Sequence, residues 1–190
     1  LDGKGRVLMP GLIDSHVELM KLGLSRIAPA SPGARPRPED RDMALIEAQK
    51  LMLERGIVAV ADMGTSIEDW QTYRRAGDLG TLSLRIMAYA AGTEAMALIG
   101  GPGPTPWLYD DRLRLNGVHI VVDGPLETGA AALKAAYADA LPKRPQPQPR
   151  LGEIQLKNTI SRAAIDRFQV AVEAHGDKAA AAALTAIEEV

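Results

Sequence analysis

The sequence predicts an α/β fold built on a parallel sheet, and three observations carry that reading. Strand-like apolar stretches near residues 12, 57, 83, 118 and 169 alternate with helical ones, the order expected of βαβ units with right-handed crossovers. The run at 57–61 is continuously apolar, as in a strand covered on both faces of a sheet. With 190 residues, 46% of them hydrophobic and 24% charged, the chain is long enough for one buried core, so a single domain over 1–190 is expected.

Residues 1–11 (LDGKGRVLMPG) read as a turn and a short strand leading into a first core strand at PGLIDSHVEL. Residues 21–39 hold Pro29, Pro32, Gly33, Pro36 and Pro38 and read as a loop. From Glu39 to Arg55 good helix formers set Met43, Ile46, Lys50 and Leu53 along one side, with acidic residues at the start and Gly56 at the stop. A strand at Ile57 to Ala61 ends at Asp62-Met63-Gly64-Thr65, and Ser66 with Asp69 forms a capping box for a helix that Gly77 is expected to close. A third strand spans Leu82 to Ala90. The glycine-rich IGGPGPTPW that follows, residues 99–107, lacks the Gly-Lys-Ser/Thr ending of a phosphate loop and reads as a structural turn. Val118 to Val122 is the fourth strand. Alanine-rich Glu127 to Asp139 is expected to be helical, and LPKRPQPQPR (141–150) to be an extended loop, its Pro-x-x-Pro spacing shared with docking motifs. Ile154 to Asp166 reads as an amphipathic helix through Ile154, Ile160, Ala164 and Ile165, then come a strand at 168–173 and an alanine-rich helix from Lys178 to Val190.

Composition narrows the chemistry. A net charge of −2 leaves no electrostatic footprint for nucleic acid. No apolar run reaches the roughly 20 residues of a membrane span, and the chain opens without a basic and apolar leader, so a cytoplasmic protein with no membrane or nucleic-acid partner is expected. The absence of cysteine removes thiol nucleophiles and thiolate metal sites. His, Asp and Glu remain as the strong metal ligands, and the three histidines are each informative.

On a strand the side chains of Asp14, His16 and Glu18 share one face, and His119, Val121 and Asp123 share another. The first three are all metal-competent, and in the second set His119 reads as a metal ligand. Equally, Asp14 caps a turn, His16 is hydrogen-bonded at a strand end and His119 is packed in a core.

The phrase PGLIDSHVEL resembles the first barrel strand of the amidohydrolase superfamily, PG-[LF]-[IV]-D-x-H-x-H, whose two histidines bind a divalent metal. His16 matches the first of these and Glu18 replaces the second. GIVAVADMGTS resembles the second βα unit of the D-aminoacylase-like and cytosine-deaminase-like branches. NGVHIVVDGPLETGA is similar to GVK-[IL]-x-x-DGALGSRGA, with His119 in place of a lysine that is carboxylated to bridge two metals. FQVAVEAHGD resembles GFQVAVHAIGD, with Glu173 where the ligand histidine stands and His175 two residues on. Glutamate brings charge and a hard oxygen where imidazole is neutral, and histidine cannot form the carbamate.

The resemblance, closest to the amidohydrolase-3-like branch, implies a partial (β/α)8 barrel of about five βα units, with residues 1–11 as a remnant of a β-sandwich junction. An open doubly wound sheet is the alternative. The implied function is metal-dependent hydrolysis of a C–N bond, an amide or a deamination-type bond, through metal-activated water. The metal is zinc before manganese or iron, with His16, Glu18, His119, Glu173 and His175 as candidate ligands. Asp123 and Asp177, with Asp62 behind them, are the candidate proton carriers. A small-molecule substrate is implied, and so is a homo-oligomer or a complementing partner chain, because five units do not close an eight-stranded barrel. The rival reading is a non-catalytic, truncated or engineered half-barrel scaffold that assembles and binds metal alone.

Overall fold

The computed structural model describes residues 3–27, 35–138 and 146–190. Its elements run β1 (Leu12–Val17), α1 (Leu19–Leu24), α2 (Pro38–Glu54), β2 (Ile57–Thr65), α3 (Ile67–Asp78), β3 (Arg85–Ala91), α4 (Gly92–Gly100), β4 (Leu113–Val121), a 3-10 turn (Leu126–Thr128), α5 (Glu153–Ile165), β5 (Gln169–Glu173) and α6 (Asp177–Glu188). The five parallel strands lie in the order β1-β2-β3-β4-β5, that of an α/β partial barrel. The doubly wound alternative is excluded, since its strand order reverses at a switch point and this one does not. The chain divides into two compact units: Leu1–Ala88 with Thr105–Leu115, and Tyr89–Pro104 with Asn116–Val190. Among the described residues no helix is long and apolar enough to cross a membrane.

In the first unit, local signals set most of the helix ends. Pro38 opens α2, where it removes a donor that would have no intrahelical acceptor, and Gly56, at φ +74°, follows its last turn. Ser66 caps α3, its hydroxyl accepting the Asp69 N–H at 3.1 Å while Asp69 Oδ2 accepts the Ser66 N–H at 3.1 Å. Closure of α3 falls to Gly80 rather than Gly77. Gly80 takes φ +69°, its N–H donates to Gly77 O, and the Thr81 N–H donates to Ala76 O. Gly77 lies inside the helix, where a Cβ would stand 2.5 Å from the Tyr109 ring.

Several expectations for this unit are corrected. Residues 3–11 form a turn and no strand, and Val7, Leu8 and Met9 are exposed. The segment expected as a loop begins with the last turn of α1, which the Asp62 carboxylate starts by accepting the Leu19 N–H; Pro29, Pro32 and Gly33 lie outside the described residues. Met43, Ile46, Lys50 and Leu53 do share one side of α2, as expected, and it is the exposed side; Ala44, Leu45, Ala48, Gln49 and Met52 are buried. Gln49 goes inward because its amide oxygen accepts the N–H groups of Ser83 (2.6 Å) and Leu84 (3.2 Å) ahead of β3. β2 is buried only in its second half. Leu12 pairs with Ile57 and Ile13 with Ala59, so Val58 is passed over in a bulge and is 43% exposed.

In the second unit, β4 pairs with β5 in unbroken register from Gly117–Gln169 to Val121–Glu173. A polar layer links three strands here: the Tyr89 hydroxyl donates to Gln169 Oε1 at 2.6 Å, and Asn116 Nδ2 donates to the same oxygen at 2.7 Å. The helix expected at Glu127 to Asp139 is replaced by the 3-10 turn and irregular chain up to residue 138, with 139 outside the described residues. Gly129 enters the left-handed region there, and the buried Ala131 and Ala132 take tertiary partners for their backbone groups. Asp123 and the Tyr137 hydroxyl accept their N–H groups, and Ala132 O accepts from Lys178. On α5 the buried face is Leu156, Ile160 and Ala163, whereas Ile154 and Ile165 point outward. Of the proline-rich loop, 141–145 lie outside the described residues and 146–149 have no regular structure.

Two substitutions separate tight backbone contact from apparent burial. At Gly23 a Cβ would lie 2.1 Å from Ala44 O, so Gly23→Ala is expected to force α1 off α2 and cost about 2 kcal/mol. Val58→Asp, at a bulge open to water, is expected to cost under about 1 kcal/mol. Urea unfolding of both variants beside the parent measures each difference.

Candidate functional site

The second unit brings three of the predicted ligands together. His119 lies within β4, is 5% exposed, and directs Nε2 to 3.1 Å from Glu173 Oε2. The other oxygen of Glu173 is 2.8 Å from His175 Nε2. A carboxylate only accepts, so His175 Nε2 carries the proton of that contact, and Glu173 stands between two imidazoles. The register that sets Val121 opposite Glu173 delivers the carboxylate to the end of β4.

His175 lies beyond β5, in a turn that a buried carboxylate shapes. Asp123 Oδ1 accepts the His175 N–H, and Oδ2 accepts those of Gly176 and Ala132, all at 2.8 Å. Burial pushes the Asp123 carboxyl up, but these backbone donors and the neighbouring His175 outweigh it and hold the group below its ordinary range. Asp123 therefore fixes the turn that aims His175. Gly176 permits the approach, since a Cβ there would stand 2.0 Å from Ala132 O. Asp177 is exposed at the first turn of α6, and its Oδ1 accepts the Lys134 N–H at 2.9 Å.

In the first unit the face shared by Asp14, His16 and Glu18 is not kept. Between Asp14 and Val17 the register slips, with Asp14 opposite Val60 and Val17 opposite Asp62, which breaks the alternation. Asp14 Oδ1 instead accepts the His16 N–H at 3.1 Å, and His16 is exposed. Glu18 leaves the strand for the N-cap position of α1 and pairs with Lys21 at 2.5 Å. Asp62, 2% exposed, accepts from Leu19 N (2.7 Å), Thr65 Oγ1 (2.7 Å) and Tyr73 Oη (2.9 Å). Desolvation raises its pKa to about 6 against the opposing effect of those donors. Sequence reasoning named Asp62 but missed Tyr73, whose only trace is an aromatic residue in a polar helix.

Two imidazoles and a carboxylate are a donor set that suits a divalent metal. In the geometry described, each Glu173 oxygen faces an imidazole nitrogen. Among the described residues no group of three or more His, Asp or Glu is arranged to hold a metal ion.

The model of the Amidohydrolase family matches residues 26–190, and the chain belongs to that family. Among solved structures it is similar to an uncharacterized metal-dependent hydrolase from Pyrococcus horikoshii OT3, with 26% identity, a TM-score of 0.71, and 81% of this chain and 31% of that one covered. A second uncharacterized metal-dependent hydrolase, from Pyrococcus furiosus, is 27% identical with a TM-score of 0.73, covering 83% of this chain and 33% of that one. A Xaa-Pro dipeptidase with bound methionine in its active site shares the fold at 20% identity and a TM-score of 0.57, covering 93% of this chain and 46% of that one. The chain thus spans about a third of the length of the two Pyrococcus hydrolases. No curated protein matches it. Membership implies a hydrolase-type fold and a divalent metal.

The buried Asp62 makes a pH prediction. Its folded pKa, about 6, lies above the ordinary 3.8, so the folded state binds the proton more tightly. The contribution is fully present below about pH 4 and is lost as pH rises through about 6. In Asp62→Asn, where the Tyr73 and Thr65 hydroxyls can turn to accept, that loss is absent, so the variant gains on the parent across this window. Urea unfolding at stepped pH reads the difference, and an unchanged gap between parent and variant contradicts the assignment.

Proposed function

We propose that this chain serves metal-dependent hydrolysis of a C–N bond, an amide or a deamination-type bond, in a small molecule, with zinc as the metal and a cytoplasmic setting. The observation that carries the reading is the chain's membership of the amidohydrolase family, and Glu173 between His119 and His175 supplies the nearest donor set. A bound divalent metal supplies activated water and polarises the scissile carbonyl. His119, Glu173 and His175 are the residues proposed to hold it. Of the two carboxylates first considered for proton transfer, the exposed Asp177 takes that role in this reading. Asp123 has its oxygens committed to three backbone donors and positions His175. His16 matches the family's first ligand of that strand, and Glu18 stands where the second histidine belongs, by sequence alone, so the first unit is tested by a separate variant.

A second reading, metal binding without catalysis, is favoured by the same carboxylate, because both Glu173 oxygens are already engaged by imidazoles.

Protein freed of metal by chelation and titrated with zinc is expected to melt at rising temperature as free zinc increases, because a ligand of the native state adds stability by mass action. His119→Ala and His175→Ala should each remove most of that rise, while His16→Ala reports separately on the first unit. No rise in the parent, or a full rise in the His119→Ala/His175→Ala double variant, overturns the assigned ligands. A normal rise without turnover of any amide, N-acyl or amino-heterocycle substrate selects the second reading.

A further inference from the structure

We propose that the outward face of α2, with the groove between α2 and α3, is a seat for the α2 helix of a second copy of this chain, packed antiparallel. The helix is apolar on two sides. Ala44, Leu45, Ala48 and Met52 are buried within the unit, yet Met43 (52%), Ile46 (51%) and Leu53 (41%) remain exposed on the opposite side. A helix apolar on two sides is ordinarily covered on both, and an exposed apolar stripe, here interrupted by Lys50 alone, marks an interaction site. The spacing specifies the kind of partner. Positions 43, 46, 50 and 53 are separated by three, four and three residues, the a and d positions of a heptad seam, so the fitting occupant is another helix with the same repeat. Beside the stripe lies a groove of 690 Å³ whose far wall is Arg75, Ala76 and the 77%-exposed Leu79.

Charge selects both the partner and its direction. Lys50 is the one polar residue of the seam, and a parallel pairing would set it against the partner's Lys50. An antiparallel pairing about a twofold axis at Ala48 sets Met43 against the partner's Leu53 and Ile46 against the partner's Lys50. The partner's Glu47 then falls within a turn of Lys50, and the symmetry makes this ion pair twice. The stripe is thus self-complementary, which a seat for an unrelated helix has no need to be.

Light scattering and sedimentation of the full chain, from low micromolar to several hundred micromolar, should show a reversible monomer–dimer equilibrium. Ile46→Lys, which sets like charges against the partner's Lys50, is expected to raise the dimer Kd by roughly a hundredfold. Its melt at low concentration should match that of the parent, because the side chain faces outward. Should that variant misfold, Lys50→Glu serves in its place. It should weaken the dimer by setting like charges together, and adding Glu47→Lys on the same chain should restore it. A parent that stays monomeric throughout overturns the proposal, including one that captures a foreign amphipathic peptide in the groove. So does association unchanged by Ile46→Lys or Lys50→Glu, or a charge swap that fails to restore it.

Discussion

A buried aspartate at or just beyond the end of a strand, collecting backbone N–H groups from distant chain, is the interaction on which both units depend. In the first unit Asp62, near the end of β2, takes the Leu19 N–H and so sets where α1 begins, while Tyr73 and Thr65 close around the same carboxylate. In the second, Asp123 follows β4 and takes N–H groups from Ala132, His175 and Gly176. Each carboxylate is dry enough that losing its donors would strand a charge, so these loops are held with an economy that no exposed contact could supply. The two differ in sign. Desolvation prevails at Asp62 and raises its pKa, whereas backbone donors prevail at Asp123 and lower it.

The candidate site inherits its geometry from Asp123. His175 belongs to no regular element, and its ring reaches Glu173 because the turn beneath it is bonded to a buried carboxylate. His119 needs no such help, being fixed inside a continuous parallel ladder. One imidazole is thus held by sheet pairing and the other by side-chain capture of a loop, with Glu173 between them.

The same economy explains the surface of α2. Gln49 is drawn inward by the N–H groups of Ser83 and Leu84, beside the buried Leu45 and Met52, and Met43, Ile46 and Leu53 face outward. Apolar residues at a helical period therefore do not declare which side of the helix meets the core. Where a polar side chain finds buried backbone partners, it can take the inner face.

The sequence alone determined the alternation of strands and helices, the end of α2 at Gly56, the start of α3 at the Ser66–Asp69 box and, by resemblance, the family, and it named His119, Glu173 and His175 among five candidate ligands. These follow from interactions within a few residues, or from motifs that survive as short strings. Tertiary structure alone decided that Val58 bulges to the surface, that the alanine-rich segment after Thr128 is not a helix, that β1 loses its alternation between Asp14 and Val17, and that Glu173 is shared by two imidazoles. Those outcomes turn on strand register and on hydrogen bonds between residues 43 to 53 positions apart, as from Asp62 to Leu19 or from Asp123 to Gly176. Local propensity carries no information over such separations, because the competing partner for each backbone group is brought near only when the chain has folded.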